Sequence, residues 1–167
     1  MVEQTKPEVN ESADEPRKRT KRESEPDQGA ALLVTGGTGY IGSHTIVEIL
    51  STEGHCGFTK IVIVDNLSNS SKKCLERIGE ITKKGDMVVF EEADIRHEDQ
   101  LDAVFTKHGP FLSVIHFAGL KAVGESCSKP LLYYENNVGG SVALIKVMHK
   151  HNCGNIVFSS SATLYGY

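Results

Sequence analysis

The chain has 167 residues, with 18 Lys+Arg against 22 Asp+Glu and a formal net charge of −4, a length suited to one domain with or without a tail. That balance excludes a strongly basic nucleic-acid binder, and four scattered cysteines (Cys56, Cys74, Cys127, Cys153) with no C-x-x-C pair exclude a disulfide scaffold and predict reduced thiols. No apolar run approaches the roughly 18 residues of a membrane helix, and the polar start MVEQTKPEVNESADEP lacks a signal peptide's apolar segment, so a soluble, cytoplasmic protein with neither a membrane nor a nucleic-acid partner is expected.

Residues 1–29 hold 6 basic and 8 acidic residues, three prolines and four apolar residues. Such a segment cannot bury enough apolar surface to offset the entropy of ordering it, so a disordered charged tail is predicted. Within it, Arg17-Lys18-Arg19-Thr20-Lys21-Arg22 is a basic cluster, read either as a nuclear-import or polyanion patch or as a solvated charge block flanked by glutamates.

From Ala30 to Tyr167 short apolar runs alternate with helical spacing. Ala31-Leu32-Leu33-Val34 predicts a first strand, and residues 41–50 a helix. Ile61-Val62-Ile63-Val64 predicts the second strand, followed by a helix with Leu75, Ile78 and Ile81 on one face. Met87-Val88-Val89-Phe90 predicts a third strand, followed by a helix carrying Leu101, Val104 and Phe105. Residues 112–117 form the fourth strand, residues 129–149 one long helix, and Ile156-Val157-Phe158 the fifth strand. Near-continuous apolar strands imply burial on both faces, and βα alternation implies an α/β fold: a doubly wound parallel sheet of Rossmann type.

Between the first strand and its helix lies Thr35-Gly36-Gly37-Thr38-Gly39-Tyr40-Ile41-Gly42. Gly36, Gly39 and Gly42 there suit a tight turn, close backbone approach to a phosphate and close helix–strand packing. The free N–H groups of the helix start then face the anion. Asp65 ends the second strand, 23 residues after Gly42, where a Rossmann fold places the acid for the adenosine ribose; its charge favours NAD over NADP. Asn66, Leu67, Ser68, Asn69 and Ser70 extend a polar loop over the same half of the cofactor. Asp94 and Ile95, after the third strand, are read as adenine contacts or as a turn.

Three features read as structural. His149-x-His151-x-Cys153 ends a helix, where cations favour the dipole, so no metal site is assigned. His116, inside a strand, reads as a satisfied core histidine. Gly139-Gly140 within a helix costs about 1 kcal/mol per Gly relative to Ala, which close packing on a neighbour would explain.

Three longer strings, HFAGLKAVGES from His116, YYENNV from Tyr133 and FSSSATLYG from Phe158, together with TGGTGYIGSH and VDNLSNSS, closely resemble the UDP-glucose 4-epimerase family of the extended short-chain dehydrogenase/reductase superfamily. The resemblance covers residues 31–167 in unbroken order. It implies that Tyr40 and Ile41 contact the pyrophosphate through their backbone, and that residues 65–70 hold the ribose and adenine with Asp94 and Ile95. It also implies that Phe117, Ala118, Gly119, Leu120 and Lys121 line the nicotinamide side, with Lys121 also near the substrate. Asn137 would support the cofactor, Ser161 would orient the sugar 4-hydroxyl proton as the catalytic serine, and Thr163 would lie along the substrate path. The implied reaction interconverts UDP-glucose and UDP-galactose: hydride leaves C4 of the sugar for NAD⁺ and returns to the opposite face of the 4-keto sugar. Related dehydratases carry Thr-Asp-Glu where this chain has Ser161-Ala162-Thr163, which favours epimerisation.

The family's base is a tyrosine in Tyr-x-x-x-Lys. Here Tyr40 is followed four residues on by His44, Tyr133 by Asn137 and Tyr134 by Val138, while Tyr165 and Tyr167 stand at the end of the chain. The last strands of the sheet and the domain that grips the UDP-sugar are also missing. The chain is therefore expected to be a truncated N-terminal portion: NAD binding weak at best, no UDP-galactose turnover alone, and homodimer formation only in a full-length protein. A non-catalytic NAD-binding or interaction module and an epimerase for another nucleotide sugar stay open.

Overall fold

The computed structural model describes residues 30–161; the charged segment 1–29 and Thr163 lie outside them. Five parallel strands form one sheet in the order β3-β2-β1-β4-β5. They are β1 (Ala31–Thr35), β2 (Lys60–Asp65), β3 (Val88–Glu92), β4 (Phe111–His116) and β5 (Ile156–Phe158). The chain starts in the middle, winds outward through β2 and β3, then returns to the other side of β1. The strand order therefore reverses between β1 and β4, the point at which open α/β sheets bind ligands beyond the C-terminal ends of their strands.

The two faces of the sheet follow from strand alternation. Leu32, Val34, Ile61 and Ile63 cluster with Ile46 and Leu50 of α1 (Tyr40–Ser51) and Ile78 of α2 (Lys73–Thr82). Ala31, Leu33, Val62 and Val64 cluster with Leu101, Val104 and Phe105 of α3 (Glu98–His108) and with Leu144 and Val147 farther along the chain. Helices thus cover both faces, as predicted. Truncating any of these fully buried leucines or isoleucines to Ala would cost about 2–5 kcal/mol.

Several element boundaries and exposures differ from expectation. The helix expected over residues 129–149 is present as an unbroken helical run from Pro130 to Lys150, but it is not uniformly α. After α4 (Val123–Ser128), Pro130 opens α5 (Pro130–Tyr133), a π-helical turn spans Tyr134–Gly139, and α6 (Gly140–Lys150) completes the run. Pro130 has no N–H to give to a preceding carbonyl and is suited to the first helical position, so it starts a helix there. Ile81 is 64% exposed: steps of three residues turn 60° short of a full revolution, so by the second step the side chain has left the face shared by Leu75 and Ile78. Met87 lies in a 3-10 turn ahead of β3, and β4 starts at Phe111, leaving Leu112 exposed. Among the described residues β5 pairs only with β4, and Ile156, Val157 and Phe158 are all exposed, not buried on both faces. Gly140 does pack closely: a Cβ there would lie 2.6 Å from Cδ1 of Ile95. Gly139 meets no such wall.

Candidate functional site: a dinucleotide cradle at the strand-order reversal

The turn after β1 is built so that side chains have no room. Gly36 has φ +68 and its N–H donates to Val64 O at 2.8 Å, while a Cβ there would sit 2.6 Å from Ala118 N. A Cβ on Gly42 would collide with Gly36 O and lie 2.7 Å from Gly37 Cα. The turn therefore folds flat under the first turn of α1. Gly39 is the N-cap, with no side-chain cap bond, and the first turn carries no acidic residue. An ordinary helix would satisfy or charge-balance this end with its own side chain. Here the N–H groups of Tyr40, Ile41 and Gly42 at the helix start lack such a cap, which leaves a ready anion cradle.

Asp65, only 8% exposed, closes the neighbouring corner. Its Oδ2 accepts the Thr38 N–H at 3.2 Å, and its Oδ1 accepts Leu67 N–H at 2.9 Å and the Ser70 hydroxyl at 3.0 Å. Thr38 and Ser70 hydroxyls are themselves bonded at 2.7 Å. The acid predicted to meet the ribose thus also locks the glycine turn to the loop that follows β2. Within that loop Leu67 takes a left-handed φ of +57, a conformation costing about 1–2 kcal/mol for such a residue, held here by its bond to Asp65. Ser68 and Asn69 stand exposed at the loop's outer side.

Asp94 is held by more donors than the sequence suggested. Its Oδ1 accepts the Arg96 N–H at 2.9 Å and Nε at 3.0 Å; its Oδ2 accepts Arg96 Nη2 at 2.7 Å and Asn66 Nδ2 at 3.0 Å. These bonds, chiefly the guanidinium's, hold its carboxyl well below the usual carboxylate range and raise Arg96 in turn. Asn66 makes the pairing a strap between the loops after β2 and β3. Ile95 points into the core against Gly140, so its backbone is what it can offer a ligand.

The loop after β4 is fixed from two sides. Asn137, in the π turn, accepts Leu120 N–H at Oδ1 and donates from Nδ2 to Leu120 O, each at 2.8 Å. Phe117 N–H donates to Thr35 O at 3.0 Å, and Ala118 N–H reaches Thr35 Oγ1 at 3.4 Å. His116 is buried and bonded at both nitrogens, to Thr35 Oγ1 at 2.6 Å and Ser141 Oγ at 2.8 Å, the satisfied core histidine that was expected. Lys121 and Gly119 are exposed on this loop. Ser161 is exposed three residues beyond β5, and because β5 runs parallel to β4 it leaves the sheet at the same edge.

The Tyr133 hydroxyl accepts the Ala122 N–H at 3.1 Å and has Ala122 O at 2.9 Å and Glu125 Oε2 at 3.0 Å as alternative acceptors for its one proton; burial and Glu125 raise its phenol, which makes it a fastener for α4 rather than a base. The histidines at the end of α6 are separated in role. His151 Nε2 meets Asp102 Oδ1 at 2.7 Å, whereas Cys153 is buried and its thiol raised chiefly by desolvation.

Sequence reasoning therefore found Gly36, Gly39, Gly42, Asp65 and the loops at 66–70 and 117–121, all gathered at one edge of the sheet. It missed Thr35, Thr38, Arg96 and Ser141, each of which ties two of these segments together. The arrangement suits a dinucleotide: an uncapped helix start for the diphosphate, a buried acid beside it, and a backbone-lined loop across the strand-order reversal. The residues present fit such a cofactor, because the helix start above the tightly packed glycine turn has neither a side-chain cap of its own nor an acidic residue in its first turn.

Comparison with known proteins agrees. The chain is 52% identical over 136 residues to a UDP-glucose 4-epimerase of Cyamopsis tetragonoloba, covering 81% of this chain and 37% of that one. It is 54% identical over 136 residues to the UDP-glucose 4-epimerase of Pasteurella multocida (strain Pm70), covering 81% and 38%. The crystal structure of UDP-glucose 4-epimerase from Bifidobacterium longum in complex with NAD⁺ and UDP superposes with a TM-score of 0.74 at 47% identity, covering 82% of this chain and 38% of that chain. The chain thus spans well under half the length of the curated relatives it matches. Residues 32–167 match the model of the NAD dependent epimerase/dehydratase family, and the chain belongs to that family.

Proposed function

We propose that the chain is the cofactor-binding portion of an enzyme that interconverts UDP-glucose and UDP-galactose, and that its cofactor is NAD. The observation that carries this is the uncapped start of α1 over a glycine turn, set beside the buried Asp65 at the strand-order reversal. When bound, NAD⁺ supplies a reversible hydride acceptor, so a sugar carbon can be oxidised and reduced again with no net redox change.

The N–H groups of Tyr40, Ile41 and Gly42 receive the diphosphate. Asp65, already anchored by Thr38 and Ser70, meets the ribose hydroxyls with its remaining acceptor capacity and repels a 2′-phosphate. The 66–70 loop and the Asp94–Ile95 backbone border the adenine. Phe117 to Lys121, pinned by Thr35 and Asn137, border the nicotinamide. Ser161 orients the proton of the sugar 4-hydroxyl, with Lys121 and Thr163 along the substrate path. A base of the Tyr-x-x-x-Lys kind is not supplied by Tyr40, Tyr133 or Tyr134, none of which has a lysine four residues on.

The relatives' names and the UDP in the Bifidobacterium longum crystal support the nucleotide-sugar substrate. Free cysteines, two of them exposed, support a cytoplasmic setting, and the relatives' names support a place for the whole enzyme in galactose metabolism; no described helix is long and apolar enough to cross a membrane. The exposed Val142 and Ile145 on α6 support self-association of the whole protein as a homodimer.

The test is a coupled assay on protein isolated from its native source. Conversion of UDP-galactose to UDP-glucose without net consumption of NAD⁺ is expected; net oxidation, or loss of water from the sugar, contradicts the reading. The 167-residue chain alone is expected to show no turnover.

A further inference from the structure

The direction of each hydrogen bond around His116 can be worked out. Asn137 O can only accept, and it takes the Ser141 hydroxyl proton at 2.7 Å. Ser141 has no second proton, so at 2.8 Å from His116 Nε2 it must be the acceptor, and Nε2 carries a hydrogen. On the other side, Thr35 Oγ1 accepts from Ala118 N–H, which leaves its own proton for the 2.6 Å contact with His116 Nδ1. The opposite tautomer would leave two acceptors facing each other at Ser141. An imidazolium would donate at both nitrogens, but burial pushes His116 down to about 4, so the cation is absent at neutral pH. Phe158, with its ring centroid 5.5 Å away, adds an apolar wall.

We infer that His116 is a positioning residue for the loop after β4, fixed as the Nε2–H tautomer. It relays a one-directional hydrogen-bond chain from Ala118 N–H through Thr35 and Ser141 to the backbone carbonyl of Asn137, whose carboxamide separately holds Leu120. Both ends of the segment 118–120 are thereby tied to one imidazole in the core. The link to a cofactor rests on the function proposed above: this segment borders the nicotinamide, so the relay orders that half of the slot and leaves the adenosine half alone.

Three measurements on the 167-residue chain test this. The nitrogen-resolved imidazole NMR spectrum should show His116 protonated at Nε2 and bare at Nδ1 throughout neutral pH; the opposite tautomer or a neutral-pH cation overturns the relay. Ser141→Ala should speed amide exchange at Ala118 and Leu120 by about tenfold, the size expected for one lost buried hydrogen bond, with Leu33 unchanged and Ser141→Thr restoring protection. Unchanged exchange overturns it. Finally, Ser141→Ala should weaken NAD⁺ about tenfold while ADP-ribose, which lacks the nicotinamide, changes less than about twofold. Equal losses overturn the positioning role. If the unmodified chain takes up neither ligand, the cofactor reading fails and the nicotinamide link falls with it, while tautomer and exchange still decide the relay.

Discussion

The Asn137 carboxamide closes both hydrogen bonds of the Leu120 backbone, accepting its N–H and donating to its carbonyl at 2.8 Å each. A loop that borders a cofactor is thus held as a strand neighbour would hold it, by a side chain standing in for a ladder. Asn137→Ala removes both bonds and should destabilise the chain by about 1–3 kcal/mol in urea unfolding. Asn137→Asp keeps the acceptor for Leu120 N–H but sets a carboxylate oxygen against Leu120 O, an acceptor–acceptor conflict, so its loss should be at least as large.

The glycine turn predicts a graded series. Gly36→Ala meets both a φ of +68 and a wall 2.6 Å away, and should be the most destabilising. Gly42→Ala gains helix propensity but drives a methyl into Gly36 O; a net loss of about 1–3 kcal/mol is expected, with NAD⁺ affinity falling at least about tenfold. Gly124→Ala meets nothing within 4 Å and should be neutral or slightly stabilising. Thermal melts and cofactor titration of the three variants check the order.

Asp65→Asn should reveal the double duty of that acid. The amide nitrogen that replaces one carboxylate oxygen would face the Thr38 N–H or the donors from Leu67 and Ser70, leaving a donor–donor conflict of about 1–3 kcal/mol. Loss of the charge should also narrow the preference for NAD⁺ over NADP⁺, measured as a ratio of dissociation constants.

His116 predicts an acid-side loss of stability. Desolvation lowers it from 6.5 to about 4, so the unfolded chain binds the proton more readily between those values. The contribution is complete above the unfolded pKa and is lost as pH falls toward the folded one, about 3 kcal/mol in all. Unfolding by urea across that window, compared with His116→Gln, should show a flatter acid slope in the variant; parallel slopes would contradict it.

Much of the fold was legible because its signals are local. The runs 31–34 and 61–64 are apolar on both faces, and the glycines announce their turn by what they lack. The helix start expected at residue 129 agrees with Pro130 opening α5, a position that suits a proline. The ties were not legible: Thr38 meets Asp65 across 27 positions and Thr35 meets His116 across 81. No spacing rule links lone polar residues that distant. Arg96 was hidden for a related reason, because a surface arginine next to an Asp reads as solvated charge. The exposure of Val157 and Phe158 depends on what lies beside β5, which strand pattern does not encode.

The central claim is that the cradle under α1 takes a dinucleotide. Amide NMR of the 167-residue chain titrated with millimolar NAD⁺ tests it most directly, since weak binding still moves resonances. The account predicts saturable shifts at Gly36 to Gly42, Leu67 to Ser70 and Ala118 to Leu120, lost in Gly42→Ala. Absence of shifts, or shifts confined to α6 around Val142 and Ile145, would contradict it.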